Sequence, residues 1–257
     1  ITWPEFVEYA KELKSKLPDG SYALEDGGRL ESLFDTYIRN KGKNLFNESG
    51  DGLGFDAEDL KEYWHMFADL RQAGAVPPAA ITNEYANAPW ENSAFVKNIV
   101  AIVTQNTNQA KTFDLHTDDQ LQIIRVPVLE GQSYGSGENF ISSGWAITRN
   151  ADPDKREEMA KFINWFVNDT EAQKIFNAEL GVIGPSHIAN AIKESLEPMD
   201  VQAFEHVNEV SADMPISTPR ASGASAIVDL YQKTYDLVSY NQKTVDEAVD
   251  YFFKEAD

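Results

Sequence analysis

Residues 142–176 read SSGWAITRNADPDKREEMAKFINWFVNDTEAQKIF, and this tract decides the fold. Gly144-Trp145-Ala146-Ile147-Thr148 is short, apolar and β-prone, which predicts a strand. Asn150-Ala151-Asp152-Pro153 ends it: Asp152 is a capping residue, and Pro153 suits a first helical turn. Met159, Phe162, Ile163 and Phe166 then recur at helical spacing and leave a polar opposite face. After the break at Asn168-Asp169-Thr170, a second short helix carries Ala172, Ile175 and Phe176.

Outward from this tract, helices and separate strands interleave. Thr2 and Glu5 form a capping-box pattern ahead of Phe6, Ala10 and Leu13, so a helix is predicted to about Leu17. Tyr22-Ala23-Leu24 reads as a short strand, and a helix with Leu30, Leu33, Phe34, Tyr37 and Ile38 follows the pair Gly27-Gly28. Residues 46–55 are glycine-rich and hairpin-like. Asp56 then caps a helix that buries Leu60, Tyr63, Trp64, Phe67 and Leu70 and stops at Gly74. A short helix is predicted over residues 90–95, with strands over 99–103 and 121–128. Further helices are expected over residues 189–196, 201–210, 221–237 and 244–253. The alternation predicts an α/β architecture.

Composition narrows the function. The 257 residues suffice for one large domain or two lobes. Forty-two acidic against 22 basic residues give a formal charge of -20, which repels phosphate backbones and anionic lipid. Nucleic acid and bare membrane are therefore not expected partners. The absence of cysteine excludes disulfides, thiolate metal sites and cysteine nucleophiles. No apolar stretch in the sequence is long enough to span a bilayer.

The order of these elements resembles the extracellular solute-binding proteins of bacterial ABC importers, in the carbohydrate-binding family that includes maltose-binding protein. The resemblance rests on the 142–176 tract, on the opening Ile1-Thr2-Trp3-Pro4-Glu5, on the glycine-rich hairpin of residues 40–59, and on Phe95-Val96-Lys97-Asn98-Ile99-Val100-Ala101-Ile102. The individual motifs are loose; their order across the chain is the specific part. The resemblance implies a type II periplasmic-binding-protein-like fold. Residues 1–140 would form the first part of the C-terminal lobe, and residues 141–190 a hinge strand and helices of the N-terminal lobe. Residues 191–257 would be closing helices of the C-terminal lobe, and the family's N-terminal segment would lie before Ile1. The helix from Pro153 would then lack part of its apolar support.

Carbohydrate capture needs aromatic faces for sugar C–H groups and planar polar groups for hydroxyls. Carried over by resemblance, Arg29, Glu31 and Ser32 face the cleft from the second helix, and Asn106 and Asn108 from the loop after the 99–103 strand. The hinge adds Ser142 and Ser143, and the loop before a long C-terminal helix adds Arg220 and Ser222. Each has a plainer reading, Arg29 and Glu31 as a charged first turn and Asn106 with Asn108 as a polar turn. Among the tryptophans, Trp3, Trp64, Trp145 and Trp165 read as packing residues. Trp90 reads as the exposed candidate for sugar stacking.

Asn47, Ser49, Asp51 and Glu58 match places in a calcium loop, but Asn47 stands where Asp is usual and Gly54 where an apolar residue is usual. No metal and no cofactor is expected. The four histidines lack metal spacing, and no nucleophile elbow or phosphate loop is present in the sequence, so an enzyme is not expected. The resemblance implies a monomer at full length, held extracellularly or in the cell envelope. Membrane contact would come only through a lipid anchor outside this sequence, with ABC permease subunits as partners. The alternatives are a receptor of the same fold for a non-sugar solute, and a glycan-acting enzyme.

Overall fold

The computed structural model describes residues 1–132, 137–138, 144–212, 214, 220 and 222–256. Helix starts follow the capping chemistry in the sequence. Thr2 opens α1 (Trp3–Lys16): its hydroxyl accepts the Glu5 N–H, and the Glu5 carboxylate accepts the Thr2 N–H at 2.8 Å. Asp56 and Asp59 close the same reciprocal pair at the start of α3 (Ala57–Gln72). Thr244 and Glu247 do so before α11 (Val245–Ala256). Gly74, at φ 72°, lets the chain leave α3 through a left-handed turn.

The chain forms two compact units. The first comprises residues 1–104, 126–139 and 213–257, the second residues 105–125 and 140–212. In the first, β1 (Tyr22–Leu24) and β2 (Val100–Ile102) pair in parallel, with Tyr22 opposite Val100 and Leu24 opposite Ile102. A 3₁₀ turn (Gly27–Arg29) joins β1 to α2 (Glu31–Arg39), and α4 (Ala79–Tyr85) follows α3. α3, α10 (Ala224–Ser239) and α11 pack around an aromatic core. Trp64 meets Tyr231 at 5.3 Å between ring centroids, Phe34 meets Phe55 at 4.9 Å, and Phe252 stacks on Phe55 at 6.1 Å. Trp3 and Trp64 are buried there, as their positions predict.

The glycine pair is fixed by this core. A Cβ on Gly28 would overlap the Tyr235 hydroxyl, and one on Gly27 would lie 2.5 Å from the Phe67 ring. Tyr231 and Tyr63 also donate to the Gly28 and Gly27 carbonyls, at 2.9 and 2.8 Å. Gly28→Ala should therefore lower stability by about 1–3 kcal/mol, the usual cost of overpacking. Urea unfolding would show a lower midpoint with an unchanged slope; an unchanged midpoint would mean that the ring has room to move.

In the second unit, α5 (Ala110–Asp114) packs on α9 (Pro198–Ser211), and Lys111 pairs with Asp200 at 2.9 Å. α6 (Arg156–Asn168), α7 (Thr170–Phe176) and α8 (Ser186–Ile192) pack in sequence. In this unit residues 105–125 and 191–212 are held together through α5 and α9.

Four expectations need correction. Residues 121–128 form no strand: the Gln202 side chain accepts from the Ile123 N–H and donates to the Leu121 carbonyl, where a neighbouring strand would otherwise bond. Only Val128 bridges, to Thr2. Residues 144–148 form no strand either, since no ladder partner exists among the described residues. Trp145 and Trp165 are not packed away but 54% and 51% exposed, on a helix and an approach to it that bury no residue of α6. Among the described residues Trp145 sits edge-on to Phe166 at 5.4 Å, and Trp165 meets Phe162 at 5.7 Å. The predicted helix over residues 90–95 shrinks to a 3₁₀ turn, Trp90–Asn92.

Candidate functional site

The site grows from the sequence between β1 and α2. The parallel strands end together, and the 3₁₀ turn delivers Arg29 and Glu31 to the entrance of α2. Arg29 donates through Nε to Asp236 on α10 at 3.0 Å. Glu31 is 6% exposed, and its Oε2 accepts from Arg220 at 3.2 Å. Burial pushes the Glu31 carboxyl up, and the Arg220 charge opposes it. One turn on, Asp35 and Arg39 form a second pair at 2.8 Å; burial pushes Asp35 up against the pull of Arg39.

Beneath this entrance lies a closed polar network. Asp26 is buried and accepts from Arg71 on α3 and from the Tyr235 hydroxyl at 2.8 Å, while Arg71 also donates to Tyr235 at 2.8 Å. Burial pushes Asp26 up, with Arg71 the main opposing influence. The network locks α3, α10 and the 3₁₀ turn, and so fixes the direction in which Arg29 and Glu31 leave it.

Of the sequence-predicted residues, Glu31 and Arg220 are brought into contact. Ser32 and Ser222 are exposed, Ser32 on the first turn of α2 and Ser222 just before Gly223 turns the chain into α10 at φ 87°. Trp90 presents 40% of its surface on its own 3₁₀ turn. Asn106 and Asn108 belong to the second unit, where both are exposed. Ser142 and Ser143 lie outside the described residues. In the calcium-like loop, Asn47 and Ser49 donate to Asp51, at 3.0 and 2.6 Å, so these groups satisfy one another. A Cβ on Gly54 would overlap the Asn44 carbonyl, so packing accounts for that glycine. Among the described residues no cluster of three or more His, Asp or Glu is placed to hold a metal.

Chemically, the α2 entrance offers guanidinium forks whose charge is already balanced by carboxylates. Such paired groups donate and accept hydrogen bonds without a strong net field. Sequence reasoning missed Asp236, Asp26, Arg71 and Tyr235. Asp26 alone left a trace, as an acid directly before Gly27-Gly28; its partners lie 45 and 209 residues away.

The sequence profile described as "Bacterial extracellular solute-binding protein" matches residues 1–203. An extracellular solute-binding protein family 1 member from Alicyclobacillus acidocaldarius is similar in structure, with a TM-score of 0.80 at 20% identity. All of this chain, and 64% of that one, is covered. A periplasmic oligogalacturonide-binding protein from Yersinia enterocolitica, in complex with saturated digalacturonic acid, gives 0.75 at 20% identity, covering 99% of this chain and 64% of that one. The maltose/maltodextrin-binding domain from Bdellovibrio bacteriovorus, bound to maltotriose, gives 0.63 at 14% identity, covering 99% and 65%. The chain thus spans just under two thirds of the length of these structures, and its fold is that of type II periplasmic solute-binding proteins.

Proposed function

Because the chain belongs to the bacterial extracellular solute-binding proteins, we propose that it captures a carbohydrate, an oligosaccharide by preference, for a membrane permease of the ABC class. Family membership is the observation that carries this reading. The oligosaccharides named for the Yersinia and Bdellovibrio proteins support the carbohydrate part. The balanced charge at the α2 entrance supports it further. Arg29 is paired with Asp236 and Arg220 with Glu31, so these forks offer hydrogen-bond donors to sugar hydroxyls without a strong net local charge.

The mechanism is capture by closure. Ligand held between two lobes selects the closed state, because only that state makes both sets of contacts. Arg29, Glu31, Ser32, Arg220 and Ser222 would supply polar contacts and Trp90 a stacking face, with Asn106 and Asn108 as further polar candidates. Ser142 and Ser143 belong to the same proposed set. The protein works outside the cytoplasm, anchored by lipid or held in the periplasm, and does not alter its ligand. Among the described residues no helix is long and apolar enough to cross a membrane.

Thermal-shift screening of the full-length protein against sugars, amino acids and inorganic ions tests this reading. Ligand at a hundred times its Kd adds about 2.7 kcal/mol, which raises Tm by about 5 °C or more. A rise with an oligosaccharide is expected. A rise confined to another solute class would overturn the carbohydrate assignment.

A further inference from the structure

Glu25 occupies the point where β1 ends beside the exit of β2. Its N–H donates to the Ile102 carbonyl at 3.0 Å, continuing the parallel ladder by one bond. Its carboxylate Oε1 accepts the N–H of Thr104. One residue therefore holds the departing chain at Ile102 through its backbone and at Thr104 through its side chain. Thr104 is the last residue of the first unit before the chain passes to the second at Gln105. Two residues further lies Asn106, and then the 3₁₀ turn Thr107–Gln109 leading into α5.

We propose that Glu25 is a proton-operated clamp: ionised, it fixes the Thr104 peptide at the crossing between units, and protonated, it lets that peptide loosen. A carboxylate accepting a backbone N–H makes a charge-assisted bond, roughly twice as strong as the neutral bond left after protonation. The ladder bond from the Glu25 N–H to Ile102 survives protonation, so the change is confined to Thr104 and the segment beyond it.

The surroundings place the transition in an accessible range. Glu25 is half-buried, and burial pushes its carboxyl up to about 7, against the Thr104 N–H, with Asp26 adding to the rise. The titratable groups that interact with it are Asp26 in its own turn and Tyr63 on α3; Arg71 on α3 and Tyr235 on α10 bond to the neighbouring Asp26. At the opposite end of β1, Lys14 on α1 bonds to the Ser21 carbonyl and lies over the Tyr22 ring. Arg71 is committed to Asp26 and Tyr235. Among the described residues, no basic side chain forms an ion pair with Glu25. Protonation is therefore the direct relief for this partly buried charge.

The linkage has a definite sign. A carboxyl raised from 4.5 to about 7 favours the folded state below 4.5, and that contribution is lost as pH rises to about 7. Above this window the ionised group clamps Thr104 at the expense of global stability. Below it the protein is more stable overall but looser at the crossing. Under the receptor reading, this loosening acts on the lead into Asn106 and Asn108.

The test is amide spectroscopy on the ligand-free chain, comparing wild type with Glu25→Gln. In wild type the Thr104 N–H resonance should titrate with a midpoint near 7. Its exchange protection, corrected for intrinsic rates, should fall several-fold from pH 8.5 to pH 5.5. The E25Q chain keeps a neutral acceptor, so both readouts should be flat. Its Tm should match wild type near pH 5 and exceed it near pH 8.5. A Thr104 resonance that is flat in wild type, or that titrates equally in E25Q, would overturn the proposal. These readouts need no ligand, so they stand or fall separately from the carbohydrate assignment.

Discussion

Arg71→Met will destabilise the first unit by about 3–5 kcal/mol, the range for removing one partner of a buried ion pair. Arg71 bonds to the Asp26 carboxylate and to the Tyr235 hydroxyl at 2.8 Å. Methionine fills much of the volume and restores neither bond. Asp26, fully buried in the turn after β1, is then left with the Tyr235 hydroxyl at 2.8 Å as its remaining side-chain donor. The pH dependence separates lost charge pairing from lost packing. Burial already raises Asp26 in the native protein, and without Arg71 it rises further. The folded variant therefore gains from protonating Asp26, and its deficit should shrink in mild acid. Urea unfolding at pH 8 and pH 5 measures both values; an equal deficit at the two would assign the loss to packing.

Phe252→Ala will be comparably damaging, at about 3–5 kcal/mol for a buried aromatic cut to alanine. Phe252 is fully buried on α11 and touches Phe55, Trp64, Tyr231 and Phe253, with centroids 5.4–6.4 Å away. These neighbours come from the hairpin, α3, α10 and α11 itself. Rings anchored on four different elements cannot close a ring-sized void by a single rotamer change. The deficit should appear in urea unfolding without pH dependence, unlike that of Arg71→Met. A loss under 1 kcal/mol would mean that α11 collapses onto the gap.

Much of the first unit was legible because its signals are local. The capping boxes at Thr2, Asp56 and Thr244 each lie within four residues of sequence, and the apolar faces of α1 and α3 repeat with helical period. Residues 121–128 and 144–148 were misread as strands for a shared reason. A strand needs a partner, and local β propensity does not reveal whether one exists. Trp165 was misread similarly, since helical spacing identifies an apolar face without showing what covers it. At the site, Arg29, Glu31 and Arg220 entered by resemblance, and the contact between Glu31 and Arg220 joins residues 189 apart. Asp236, Arg71 and Tyr235 gave no local signal. Their roles exist only once α3 and α10 are packed against the turn after β1.

Calorimetric titration of the most stabilising oligosaccharide into the full-length protein and into its Arg220→Ala variant tests the binding account most directly. We expect saturable one-site binding, weakened about tenfold or more in the variant, the equivalent of 1.4 kcal/mol or more from a lost charged hydrogen-bond donor. Equal affinity in the two proteins would remove the α2 entrance from the binding site and contradict the account.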